Sequence, residues 1–238
     1  KNSYKTMDNS YIESVWWALQ QLDKKKLLYE GRKVLMYCNH CETPLAKAEI
    51  AMDNTYKDIT EEAVTVKFKL KNPQKHGLPE NTFILAWTTT PWTLPGNVAL
   101  AVGLDIKYVF FEKNGEYLVI AAERFEGEHV SGELLGKQLV GAEYEPLYGI
   151  PALAQHKGKK YVVLPADFVT TTEGTGVVHT AVMYGEDDFT LGKKEDLPMV
   201  QLLNANGTYN ELVPEFIRGE YIKKAEKLIK EDLEKKNL

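Results

Sequence analysis

Hydrophobic and polar positions along the chain follow two periods. In "SYIESVWWALQQLDKKKLL", residues 10 to 28, Ile12, Val15, Trp16, Leu19 and Leu22 recur at helical spacing, which predicts an amphipathic helix. Ser10 and Glu13 have the spacing of a capping box at its start. The last segment, from Arg218, repeats the pattern through Ile222, Ala225, Ile229 and Leu233. Between the two lie short runs of β-favouring residues, "AVTVKFKL", "TFILAW", "IKYVFFE", "EYLVIA", "KYVVLPA" and "GTGVVHTAV", punctuated by Gly, Pro and Asn. That density of short strands predicts a curled sheet or barrel rather than a doubly wound parallel sheet. The fold class expected is α+β, rich in β-barrel, with flanking helices. No internal repeat or low-complexity segment interrupts it.

One stretch does not fit a plain strand. "WTTTPWTLPGN", Trp87 to Asn97, places three threonines before a proline. If the strand from "TFILA" continues into it, the two-residue period puts Thr88 and Thr90 on one face, and Thr89 beside Trp87 on the other. Pro91 ends the pairing, because it has no N–H to donate and holds Thr90 extended. "LPGN" then has the composition of a type II turn. The stretch reads either as a threonine-rich edge strand with a tight turn or as a strand end that offers hydroxyls to a ligand.

Composition narrows the class. The 238 residues are 44% hydrophobic, enough for a sizeable core. No apolar run approaches the roughly 18 residues of a membrane helix, and the polar start "KNSYKTMDNS" is not a signal peptide. An intracellular protein without a membrane partner is therefore expected. The net charge of -5 argues against sequence-tolerant duplex binding. A nucleic acid would be held locally, and lysines cluster at "HKGKK" and "DKKK". The absent initiating methionine and the helix-like last segment lead to the expectation of a piece of something larger.

Candidate chemistry gathers in two further places. In "EGTGVVHTAVMYGEDDF", Glu173 to Phe189, strand alternation aligns Val177, His179 and Ala181, and a helix is expected after Gly185. Acidic residues in that first turn suit the helix dipole, so a structural reading of the segment stands beside a functional one. "GTGVVH" lacks the third glycine of a dinucleotide fingerprint, and no GK[ST] follows it. None of the four serines sits in a G-x-S-x-G setting. Cys38 and Cys41 in "YCNHC" have the spacing of half a zinc site or of a redox dithiol, with His40 between them. Two cysteines cannot complete a four-cysteine site, and the βαβ context of a thioredoxin-like dithiol is missing.

In order along the chain, "YKTMDNSYIESVWWAL", "VLMYCNHCETPLAKAEI", "AVTVKFKL", "AWTTTPWTLPGNVALAV" and "GTGVVHTAVMYGEDDF" resemble the connective-peptide editing domain inserted in class I aminoacyl-tRNA synthetases. The likeness covers nearly the whole chain. The threonine-rich stretch is shared with the valyl branch and loosely with the leucyl one, while the opening "YKTMD…YIESVWW" tilts the resemblance to the isoleucyl branch. It implies a leading helix and Cys-x-x-Cys junction over 1–45, an editing core over 46–215 and a C-terminal helix over 216–238.

The activity implied is hydrolysis of the ester of valine mischarged onto the isoleucine tRNA. The alternatives are a valyl-type domain that removes threonine, a tRNA-end-binding module without hydrolytic activity, and a structural zinc-bearing insertion. By the same resemblance, Asp188 binds the substrate's α-ammonium. Thr88, Thr89, Thr90 and Asn97 position the terminal adenosine, the amino acid and the attacking water, and Trp87 is a further substrate-binding residue. His179 is the pocket wall that excludes isoleucine. Editing needs no cofactor; Cys38 and Cys41 are an orphaned half-site for zinc; ATP belongs to the full-length synthetase, whose His-Ile-Gly-His and Lys-Met-Ser-Lys-Ser signatures are absent here. The partners implied are the 3′ end of a mischarged tRNA and the rest of the synthetase chain, in a cytoplasmic monomer. One departure stands out: the usual proline three residues after the histidine is Val182.

Overall fold

The computed structural model describes residues 3–238, in two compact units, one up to Lys33 and the other from Val34 to Leu238. In the first, the helix Asn9–Lys24 forms where the apolar spacing placed it, although it buries none of its residues. Its ends differ from expectation. Asp8 occupies the cap position, so Ser10 lies inside the helix and no Ser10–Glu13 box forms; instead the Ser10 carbonyl accepts a 2.8 Å bond from the Ser14 hydroxyl. The helix stops four residues early because Lys26 turns left-handed, with φ 55°. Leu27 N–H then bonds back to the Leu22 carbonyl and Lys26 N–H to that of Asp23, a Schellman closure.

The second unit begins with a small antiparallel hairpin, β1 (Tyr37–Cys38) and β2 (Thr43–Pro44). Nine further strands form one sheet: β3 (Val64–Lys71), β4 (Thr82–Thr88), β5 (Ala99–Val102), β6 (Lys107–Lys113), β7 (Glu116–Ala121), β8 (Gly132–Leu135), β9 (Glu143–Tyr144), β10 (Val162–Pro165) and β11 (Val177–Thr180). The order β11-β5-β10-β9-β3-β4 closes on itself through a parallel β11–β4 pairing, Val178 against Trp87. This six-stranded barrel is the curled sheet that the short, evenly spaced β runs predicted. The other three strands, β7, β6 and β8, extend from the first half of β4.

Strand β4 therefore forks. Thr82 to Ile84 pair with β7, whereas Trp87 pairs with β11. Along β3 the apolar alternation sends Val66, Phe68 and Leu70 inward, and β5 is buried at every position. Phe68, Ile84, Leu100 and Tyr144 are fully enclosed in the core.

The C-terminal helix, Ile222–Lys235, buries Ala225, Ile229 and Leu233 as its spacing predicts. It begins four residues later than expected. Gly219 is left-handed at φ 76°, and its N–H pairs with the Tyr209 carbonyl, while the Glu220 carbonyl accepts from Tyr209 N–H. Glu61 and Glu62 form ion pairs with Lys223 and Lys230 of this helix. Among the described residues, no helix is long and apolar enough to cross a membrane.

Candidate active site

The end of β4 and the turn after it build a chain of hydroxyls. "LPGN" is not a type II turn: Pro91–Gly96 forms a 3-10 helix, and Asn97 N–H bonds to the Leu94 carbonyl at 3.0 Å. Pro91 at its start has no N–H to lose there. Gly96 keeps an ordinary negative-φ backbone, and the reason for glycine is space, since a Cβ would sit 3.0 Å from the Tyr184 ring. The Tyr184 ring also meets Trp92 edge-on at 5.2 Å, and the Tyr209 hydroxyl bonds the Trp92 carbonyl.

With the helical turn in place, Thr90 and Thr93 lie three residues apart on one side of it. Thr93 Oγ1 donates to the Thr90 carbonyl at 2.8 Å and lies 3.4 Å from Thr90 Oγ1. Thr88 and Thr90 share a side as the strand period requires, their hydroxyls 3.2 Å apart, and Thr90 N–H bonds Thr88 Oγ1 at 3.0 Å. Thr89 is exposed and outside this chain.

Strand β11 brings His179 against it. His179 is 7% exposed, and its Nε2 lies 2.8 Å from Thr93 Oγ1. Its Nδ1 is buried and meets no donor. Burial lowers the imidazole pKa to about 4, so the ring is neutral near pH 7. The sequence reading missed Thr93, which is 5% exposed. The i, i+3 spacing from Thr90 would have revealed it had the Pro91 segment been read as helical.

Asp188 lies in the first turn of the helix Glu186–Glu195, with Glu186 and Asp187. Its carboxylate folds back over Gly185, where a Cβ would come within 2.6 Å of Oδ2. Desolvation raises its pKa to about 7; the Ala181 backbone amide pulls the other way, and the Asp187 charge adds to the rise. Val182 leaves the strand end intact where proline is usual: it is buried, and it packs against Gly192 of the same helix.

Two of the expected residues are placed differently. Asn97 is 4% exposed and engaged inside the protein: its Oδ1 accepts 2.7 Å from the Tyr144 hydroxyl and its Nδ2 donates 3.0 Å to the Ala99 carbonyl. Trp87 faces outward, away from Thr88, and lines a surface cavity of about 480 Å³ with Thr65, Arg124, Glu126 and Glu173. Its ring lies close against Gly174, where a Cβ would meet it at 2.9 Å.

Cys38 and Cys41 stand on the β1–β2 hairpin. Cys41 N–H donates to Cys38 Sγ at 3.4 Å. The Cys41 and His40 amides hold the Cys38 thiol below its ordinary pKa, while Cys41 is raised by its contact with Cys38. An amide-supported thiolate suits a soft metal. Among the described residues, no group of three or more His, Cys, Asp or Glu is placed to hold an ion. A tetrahedral zinc site takes four donors, and this hairpin holds two cysteines.

The chain is 47% identical to the isoleucine–tRNA ligase of Clostridium novyi (strain NT) over 97% of its own length and 22% of that protein's. The enzyme of the same name from Treponema denticola is 39% identical over 98% of this chain and 24% of its own. The chain thus spans under a quarter of the length of these relatives. Two solved structures share its fold. "The crystal structure of GlLeuRS-CP1" has a TM-score of 0.56 at 15% identity, covering 74% of this chain and 97% of that one. The leucyl-tRNA synthetase editing domain of P. knowlesi has a TM-score of 0.54 at 12% identity, covering 74% and 94%. The family model for class I tRNA synthetases (I, L, M and V) matches residues 1–231, and the chain belongs to that family.

Proposed function

We propose that this chain hydrolyses mischarged aminoacyl-tRNA, removing valine from the isoleucine tRNA. The observation that carries the reading is the hydrogen-bonded chain Thr88–Thr90–Thr93–His179, which joins the ends of β4 and β11. It lies in a fold shared with leucyl-tRNA synthetase editing domains, in a chain related to isoleucine–tRNA ligases.

The need for the reaction is physical. A pocket built for isoleucine rejects valine poorly, because one missing methylene is worth only about 1 to 3 kcal/mol; this pair of amino acids is the standard illustration of that limit. A second site must therefore destroy the product that the first lets through.

In that site water attacks the ester carbonyl carbon, the bond to the ribose oxygen breaks, and that oxygen takes a proton. Free valine and uncharged tRNA leave. Asp188 binds the α-ammonium, and the arriving cation favours its ionised form. The hydroxyls of Thr88 and Thr90, each able to donate and accept, orient the water and the ester, while Asn97, bound to Tyr144 and Ala99 in the interior, supports the turn from within. The neutral His179 is a wall: with a pKa of about 4 it is a weak base at pH 7. Orientation, rather than a strong base, does most to activate the water. The 3′ end of tRNA is the ligand, and the remaining synthetase chain, which carries the ATP chemistry, is the covalent partner, in a cytoplasmic monomer.

The test is deacylation of isoleucine tRNA charged with valine and of valine tRNA charged with threonine, by the wild type and Asp188→Ala. Preferential cleavage of the valyl ester, slowed about tenfold to a hundredfold by Asp188→Ala through loss of a charge-assisted contact, supports the reading. Preference for the threonyl ester assigns the valyl branch. Binding without cleavage makes the chain a tRNA-end module.

A further inference from the structure

The hydrogen bonds around Thr93 constrain where the proton of His179 sits. Thr93 has one hydroxyl proton, and the geometry commits it to the Thr90 carbonyl at 2.8 Å. Thr93 Oγ1 can then only accept from His179, 2.8 Å away. That requires the proton on Nε2 and leaves Nδ1 as a bare lone pair. The opposite tautomer would break the Thr93–Thr90 bond and bury an Nδ1–H that meets no acceptor. An orphaned buried N–H is rarer in folded proteins than an orphaned acceptor, so both arguments select the same form.

We propose that Thr93 is a positioning residue for selectivity. It fixes the ring plane of His179 and holds the imidazole as the Nε2–H tautomer, leaving Nδ1 a buried lone pair. The role in selectivity rests on the editing reading above; the tautomer does not. Thr93 is suited to this by its own burial and by its seat on the Pro91–Gly96 turn, which places Oγ1 between the Thr90 carbonyl and β11. The methyl of threonine adds rotamer stiffness that serine lacks. A wall whose plane can turn is a poor sieve, because a tilted ring opens space comparable to the methylene it must exclude.

The experiment has two arms on the same chain. In the first, long-range proton–nitrogen correlation spectra of histidine-labelled protein at pH 7 report which ring nitrogen is protonated, with His179 identified among the five histidines by its loss in His179→Ala. The expected result is Nε2–H with a bare Nδ1 in the wild type and in Thr93→Ser, and a mixed or switched tautomer in Thr93→Val. In the second arm, the ratio of valyl to isoleucyl ester hydrolysis falls about threefold to tenfold in Thr93→Val, the scale of one hydrogen bond, and returns in Thr93→Ser. Thermal melts accompany each variant.

A wild-type Nδ1–H tautomer overturns the proposal, even if Thr93→Val does not fold. So does a folded Thr93→Val with unchanged tautomer and unchanged ratio. If the wild type shows the expected tautomer but cleaves neither ester, the editing reading fails, and with it the role in selectivity.

Discussion

His179 and Asp188 carry opposite pKa shifts from one leading cause, burial. His179 is lowered to about 4 from the ordinary 6.5, so between those values the folded chain holds fewer protons than the unfolded one. Its contribution to stability is lost as pH falls through that window. Asp188 is raised to about 7 from 3.8, so between those values the folded chain holds more protons, and stability falls as pH rises. Between about pH 4 and 6.5 the two slopes oppose each other. Melting curves across pH 4 to 7.5 should therefore show Asp188→Asn gaining stability with rising pH more steeply than the wild type. His179→Gln should lose stability with rising pH. If both variants keep the wild-type slope, burial has not shifted either group in this way.

A steric role for the imidazole makes a separate prediction at the same scale. His179→Ala should begin to hydrolyse correctly charged isoleucyl-tRNA while still cleaving the valyl ester, because space for the extra methylene opens. Loss of a general base would instead slow both esters by about 10² to 10⁴. Parallel loss on the two esters in a kinetic assay would rule out the wall, and a lower melting temperature with an unchanged ratio would make His179 a core residue only.

The helix Glu186–Glu195 must approach the strand end closely for Asp188 to reach Ala181, and Gly192 permits it. A Cβ there would come within 2.5 Å of Val182 Cγ1, on a side chain only 2% exposed. Alanine would gain about 1 kcal/mol in helix propensity, but overpacking of this kind typically costs about 1 to 3 kcal/mol. Gly192→Ala should accordingly lower stability in denaturant unfolding, and Val182→Ala should restore part of the loss in the double variant. Full additivity of the two substitutions would mean that the contact does not limit the packing. The neighbouring turn makes the same point about legibility. "LPGN" has type II composition, yet Pro91–Gly96 forms a 3-10 helix whose Gly96 leaves room for the Tyr184 ring, a packing relation that local propensity does not contain.

At the scale of the whole molecule, the cysteine hairpin makes a prediction about metal. Cys38 and Cys41 have the amide support of a metal knuckle but only each other as partners among the described residues. The purified chain should hold far less than one tightly bound zinc per molecule by metal analysis. Full occupancy that survives a chelator would show that other residues complete the site.

The sequence by itself determined the elements whose cause is local. The 3.6-residue apolar spacing set both long helices, and the two-residue alternation set β3 and put Thr88 and Thr90 on one side, because neighbours along the chain dictate which face is apolar. Helix ends were less legible: Lys26 and Gly219 turn left-handed in concert with backbone bonds that no single-residue preference encodes. The tertiary structure alone decided which of the conspicuous residues meet. Thr93 and His179 are 86 residues apart and Asn97 and Tyr144 47 apart. Barrel closure through Val178 and Trp87 brings the ends of β4 and β11 together, so that Thr93, unremarkable in the sequence, becomes the contact that orients His179. Asn97, conspicuous in the sequence, is bound to Tyr144 in the interior. Hydrogen-bond partners are chosen by where the strands place them, and that placement follows from burying the whole core at once.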